Sequence, residues 1–277
     1  MARSLRRVLP GVAVHVIQRG VNRVACFRAE GDYLVYLSSL RQLSVKHGCA
    51  LHAYCLMTNH VHLLLTPNKV SSCTELMRDL GRRYVPYFNW RHERTGTLWE
   101  GRFRACLVES ARYALACYRY IELNPVRAEM VNDPAEYPWS SYAANSGARS
   151  DPSLCPHPEL LALSPDAEKR RAAYRAMFNE GMDRPLLEAI RDATNGGYPL
   201  ATDNFKNTVL APLGWRTEPG RPGPRPNSHP DPELVFLQEV QHGPGEGLGL
   251  LPERRVSAFR DDQRLAIGKA LGEHAQH

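Results

Sequence analysis

Two apolar runs, residues 50–57 and 60–66, are separated only by Thr58-Asn59. A two-residue gap containing Asn between strand-like segments closes a tight β-hairpin, and the turn then fixes the register of both strands. The second run opens with His60-Val61-His62. Alternate side chains of a strand share a face, so both imidazoles are expected to project together.

The neighbouring segments complete a pattern around this hairpin. Residues 12–19 are rich in Val and Ile and end at Gly20, which predicts a strand. Residues 32–47 carry Leu34, Val35, Leu37, Leu40 and Leu43, a helical stripe. Residues 74–90 are helical through Leu76, Met77, Leu80, Tyr84 and Phe88, with Pro86 expected to kink or break the helix. Residues 102–109 form a short strand, and Ser110 is placed to cap a helix that reaches Asn124 and stops at Pro125. The order β-α-β-β-α-β-α is α+β. Its first six elements predict a ferredoxin-like split βαβ fold, one antiparallel sheet with helices on one face. The first and third strands are then central, so the His pair lies mid-sheet and the last helix folds back near it.

The texture changes after about residue 150. Helices are expected from Ser164-Pro165-Asp166, over 184–193 and over 202–210. Residues 151–215 are therefore read as a small helical extension behind a front domain at 1–150. Residues 216–277 are read as a Pro-, Gly- and Arg-rich linker followed by a disordered tail, with one weak helix near 264–271. No run of 18 apolar residues and no export pattern is present, which predicts a soluble, cytoplasmic protein with no membrane partner. The 7 cysteines form no C-x-x-C pair, which predicts reduced, mostly buried thiols rather than cysteine-held zinc.

Charge is placed unevenly. Residues 1–150 hold 20 Lys and Arg against 11 Asp and Glu, while the remainder holds 15 against 18. Of those 20 cations only Lys46 and Lys69 are lysines. Arginine matches phosphate with a planar fork, so the front domain fits a polyanionic partner such as nucleic acid.

Candidate chemistry follows from the residue types. His60 and His62 are either packed in the sheet or a pair of metal ligands. Asn124 could add an amide oxygen, and three protein ligands leave positions open for water and phosphate. Tyr120 lies four residues before Asn124, on the same face of the expected helix. A phenol with a pKa of about 10 costs roughly 4 kcal/mol to ionise at pH 7, at about 1.36 per pKa unit, so a metal or base must help it. Tyrosine as nucleophile conserves the phosphodiester energy in a phosphotyrosine ester, which water would lose. Gln18, Arg19, Asn22 and Arg23 form a set of donors after the first strand. Trp99, Arg102 and Arg104 could stack a splayed base and hold phosphate, although Trp99 also fits the core.

Four strings carry a family resemblance: Gln18-Arg19-Gly20-x-Asn22-Arg23; Leu56-Met57-Thr58-Asn59-His60-Val61-His62-Leu63-Leu64; Gly96-x-Leu98-Trp99-Glu100-Gly101-Arg102; and Tyr120-Ile121-Glu122-Leu123-Asn124-Pro125-Val126-Arg127-Ala128. Together with Tyr137-Pro138-Trp139-Ser140-Ser141-Tyr142, they resemble the REP-associated tyrosine transposases, a group of HUH single-strand insertion-sequence transposases. The resemblance spans about residues 8–145. It implies a ferredoxin-like catalytic domain, Mg or Mn as cofactor, bacterial hairpin DNA as target and a 5′-phosphotyrosine intermediate. On this resemblance His60, His62 and Asn124 are metal ligands and Tyr120 is the nucleophile, in a protein acting as a monomer or homodimer. Two alternatives stay open: a non-catalytic regulator that binds structured DNA or RNA, and a metal hydrolase that uses water. Nothing in the resemblance covers the tail after about residue 226.

Overall fold

Thr58 and Asn59 form the predicted turn, and Met57 pairs with His60 across it. The computed structural model describes residues 8–218; the tail reading over 219–277 lies outside them. The strands are β1 Ala13–Arg19, β2 Cys49–Met57, β3 His60–Pro67 and β4 Arg104–Val108. Their order in the sheet is β2-β3-β1-β4, with every neighbouring pair antiparallel. The fold is α+β with the ferredoxin-like strand order, and the strand bearing the His pair is central.

The helices are α1 Glu30–Lys46, α2 Ser72–Arg91, α3 Ala111–Glu122, α4 Asn124–Arg127, α5 Tyr142–Asn145, α6 Pro158–Leu161, α7 Ala167–Ala176 and α8 Arg184–Gly196. α1 and α2 pack together, and both reach β2. Tyr36, Leu40 and Leu43 of α1 and Leu76, Leu80, Tyr84 and Phe88 of α2 are buried. α3 reaches β2, β3 and β4, and α8 covers β4 and β1. The sheet is therefore covered on both faces, where one had been expected to carry the helices. Partner residues of an antiparallel pair share a face. Ala13 and His15 of β1 therefore align with Ala53 and Cys55 of β2, His62 and Leu64 of β3, and Cys106 and Val108 of β4. Small residues at Ala114 and Cys117 let α3 approach this second face closely.

Residues 151–218 are not a separate appendage. Tyr174 of α7, Ile190 and Ala193 of α8, and Leu200 join Tyr118, Cys117 and Ile121 of α3 in one buried cluster. A helix that is apolar on the side facing the sheet needs a cover on its other flank, and the extension supplies it. Six cysteines are buried and Cys155 is exposed, all as free thiols. Among the described residues no helix is long and apolar enough to cross a membrane.

Two expectations fail locally. Pro86 does not break α2, which runs unbroken from Ser72 to Arg91. Pro86 and Arg82, the residue four before it, are both exposed, so the carbonyl that loses its partner faces water, where the cost is smallest. Ser110 stands at the start of α3 but makes no side-chain cap, because its φ of 91° turns it out of the usual capping conformation.

Gly20 ends β1 where the chain turns under the hairpin. Its N–H donates to the Asn59 carbonyl at 2.8 Å, and a Cβ here would lie 2.3 Å from the Val24 carbonyl oxygen. Backbone on one side cannot rotate away as a side chain can. Gly20→Ala is expected to lose about 1–3 kcal/mol of stability in urea unfolding.

Candidate active site

His60 and His62 of β3 stand opposite Arg19 and Ile17 of β1, and opposite Met57 and Cys55 of β2. Their rings lie 4.8 Å apart at 81°, the shared face that strand alternation demands. A third imidazole joins them from β1. His15 lies edge to edge with His62, with centroids 5.2 Å apart and 14° between the planes. Its Nε2 lies 3.0 Å from His62 Nδ1, and its Nδ1 lies 2.9 Å from Thr194 Oγ1 of α8. His60 Nδ1 lies 2.6 Å from Asn59 Oδ1 in the hairpin turn.

α3 brings Tyr120 onto the same cluster. Its ring meets His15 and His62 edge-on, at 5.6 and 5.7 Å between centroids. The Arg127 guanidinium covers one face of the phenol ring at 4.6 Å and donates to the Tyr120 carbonyl at 2.7 Å. α3 ends at Glu122, so Tyr120 and Asn124 do not share one uninterrupted helix. The Asn124 amide nitrogen nevertheless reaches back to the carbonyls of Tyr120 and Ile121, at 2.9 and 3.3 Å. Those two acceptors fix which end of the amide is nitrogen and turn Oδ1 away from them.

The cluster is electrostatically poor in protons. Burial, and then the Arg127 charge, lowers His15 to about 3. Burial, followed by Arg19 and Arg127, lowers His60 to about 3. His62 is pushed well below the ordinary imidazole value by burial first, then by His60, His15, Arg127 and Arg19. Neutral imidazoles keep a lone pair for a metal. A pair of neutral imidazole nitrogens suits a divalent cation of the Mn class. Among the described residues no group of three or more His, Cys, Asp and Glu side chains forms a metal-holding cluster.

The inner part of the cluster is closed, with His15 0%, His62 2% and Tyr120 2% exposed, while His60 at the strand's start is half-buried. Beside it opens a pocket of about 140 Å³, lined by Ile17, Arg19, Glu100, Arg102, Arg104 and Asn195 among others. Arg19, Arg102 and Arg104 thus meet at one opening next to the His pair, and Arg104 is held by Asn195 Oδ1 at 2.7 Å.

The other expected DNA-binding residues fall elsewhere. Gln18 is buried and pairs with Val61, so it lies on the opposite face of the sheet. Asn22 and Arg23 sit in an exposed turn with φ of 50° and 59°. Trp99 is 7% exposed and stacks on Tyr84 at 6.1 Å. Its ring belongs to the aromatic core between β1 and α2 and does not offer a platform for a base. Sequence reasoning missed His15, Arg127 and Thr194 as site residues. Arg127 carried a weak signal, since seven residues is about two helical turns beyond Tyr120. His15 and Thr194 carried none before the register was known.

Residues 9–124 match the model of a known family, described as transposase, IS200-like. Over this segment the chain is similar to the IS200-like transposases. The match contains His60, His62 and Tyr120 and ends on Asn124; Arg127 and Thr194 lie beyond it. A solved REP-associated tyrosine transposase bound to a REP hairpin is similar over 57% of this chain and 92% of that one, with 15% identity and a TM-score of 0.44. A Deinococcus radiodurans R1 protein described as a transposase is similar over 41% of this chain and 91% of that one, with 26% identity and a TM-score of 0.30. No curated protein matches the chain.

Proposed function

We propose that this protein is a transposase that cleaves and rejoins single-stranded DNA beside a hairpin, with Tyr120 as the nucleophile. The observation that carries the reading is the packing of Tyr120 against two same-face histidines of the two central strands, His15 of β1 and His62 of β3, with centroids 5.6 and 5.7 Å away. The family-model match over residues 9–124 supports DNA cleavage and transfer in general; the tyrosine chemistry is the finer claim.

In the proposed step Tyr120 Oη attacks the scissile phosphorus and the bond from phosphorus to the 3′ oxygen breaks. The phenol loses its proton and the departing 3′ oxygen gains one. The 5′ phosphate is left as an ester of tyrosine, and a second 3′-OH reverses the exchange with no loss of phosphodiester energy. His60, His62 and Asn124 would hold a divalent cation, Mg or Mn, whose Lewis acidity polarises a phosphate when it is bound. Arg19, Arg102 and Arg104 would grip the phosphates that flank the cut, and Arg127 holds the phenol ring in place.

The burial of Tyr120 favours a second reading, a structured-nucleic-acid regulator that does not cut, because a nucleophile at 2% exposure must be uncovered before it meets DNA. One experiment separates the two. Hairpin DNA from beside the protein's own gene, labelled at either end, is incubated with protein and Mn or Mg and run on a denaturing gel. The expected result is a metal-dependent adduct on the fragment 3′ of the cut. Tight binding without adduct supports the regulator, and a cut without adduct supports hydrolysis by water.

A further inference from the structure

We propose that His15 and Thr194 are positioning residues, a hydrogen-bond relay that fixes the tautomer of His62 so that its Nε2 lone pair faces out as a metal ligand. The inference rests on the reading of His60 and His62 as ligands. It follows from proton counting along the chain of contacts. The Thr194 hydroxyl donates to the Ile190 carbonyl one turn earlier, at 2.8 Å, which uses its only proton. Its oxygen is therefore an acceptor towards His15 Nδ1 at 2.9 Å, and towards the Cys106 thiol at 3.2 Å. A neutral imidazole carries a single N–H. With that proton on Nδ1, His15 Nε2 is bare, and at 3.0 Å it accepts from His62 Nδ1–H. His62 has then spent its own proton, and Nε2 is left with a lone pair.

His60 reaches the same state from another source. Asn59 turns its amide nitrogen to the Arg23 carbonyl at 3.4 Å, so its oxygen is the atom that accepts from His60 Nδ1–H at 2.6 Å. A loop amide and a helix hydroxyl thus impose one tautomer on both rings. His15 is not a third ligand, because both its nitrogens are already committed. Outer hydrogen bonds of this kind orient ligating histidines and commonly matter 10- to 100-fold in metal affinity. Thr194 lies seventy residues beyond the family-matched segment. The helical extension therefore completes the site as well as covering it.

Two measurements on the full chain test the relay. In the metal-free protein with ¹⁵N-labelled histidine, long-range proton–nitrogen spectra are expected to show His62 protonated on Nδ1 and bare on Nε2. Thr194→Val removes the acceptor, so His15 moves its proton to Nε2 and His62 is pushed to the opposite tautomer. Mn affinity by calorimetry is expected to fall about 10-fold in Thr194→Val and to be retained in Thr194→Ser, which keeps the oxygen. A wild-type His62 protonated on Nε2 overturns the proposal, and so does a Thr194→Val protein with unchanged tautomer and unchanged Mn affinity. The expected tautomer in a wild-type protein that binds no Mn supports the relay and instead removes the ligand reading of the site.

Discussion

Tyr120→Phe is expected to bind hairpin DNA as tightly as the wild-type protein and to form no covalent adduct, with cleavage down by a factor of at least about 10³. The substitution removes only the phenolic oxygen. The edge-on contacts with His15 and His62 are ring contacts, and Phe retains them. The Arg127 guanidinium lies over the ring at 4.6 Å, and that contact, worth about 0.5–1 kcal/mol in such settings, survives. The fold should therefore be intact, and the thermal midpoint checks that it is. Filter binding and the denaturing gel then read two different properties of one protein. Cleavage that persists at the normal rate with Phe at position 120 would exclude tyrosine as the nucleophile. Adduct formation that persists would move the nucleophile to another residue. Wild-type binding with no cleavage isolates the oxygen atom as the reacting group.

The parts of this site that local chemistry determines were legible in the sequence. Thr58-Asn59 sets the hairpin, the hairpin sets the register, and the register puts His60 and His62 on one face of a central strand. What escaped was set by contacts between distant segments. His15 is one polar residue in an apolar strand, and only its pairing opposite Leu64 and Cys106 turns it towards His62. Thr194 lies 179 residues away from its partner His15, in a helix that the sequence suggested without saying where it docks. Trp99 was open to two readings, stacking or core, and burial against Tyr84 decides between them. Pro86 shows the converse case. Local preference argued for a kink or a break, but the buried residues around it, Leu80, Tyr84 and Phe88, keep the helix continuous.

Acidification is expected to destabilise the metal-free protein, and Glu122→Gln is expected to make that loss steeper. Burial holds His15 and His60 at about 3 and His52 at about 4, against 6.5 for a free imidazole. The unfolded chain therefore binds protons that the folded chain refuses, and stability that is complete above pH 6.5 drains away as pH falls towards 3. At pH 5.5 each such histidine costs about 1.4 kcal/mol, and His62, which burial also holds well below 6.5, adds a fourth equal share, so the four together cost about 5–6 kcal/mol. Glu122 works in the opposite direction. Burial raises it to about 7 from 4.5, in spite of hydrogen bonds from Ser141, Tyr174 and Asn145. Those donors come from Tyr174 of α7, from Ser141 just before α5 at 2.5 Å and from Asn145 at the end of α5 at 2.8 Å. The folded state holds this proton more tightly than the unfolded state does. Its contribution is complete below pH 4.5 and is lost as pH rises through 7. Between pH 7.5 and 5.5 Glu122 therefore returns about 2 kcal/mol of what the histidines remove. Urea unfolding in the presence of a chelator at those two pH values should show a wild-type loss of about 3–4 kcal/mol and a loss about half as large again in Glu122→Gln. Parallel losses in the two proteins would mean that Glu122 is ionised in the folded state throughout. Stability that rises on acidification in Glu122→Gln would mean that the histidines are not held neutral. The second outcome bears directly on function. Glu122 is two residues from Tyr120, and its network ties the nucleophile's helix to the extension. The neutral histidines beneath that helix are the ones whose lone pairs a metal would need.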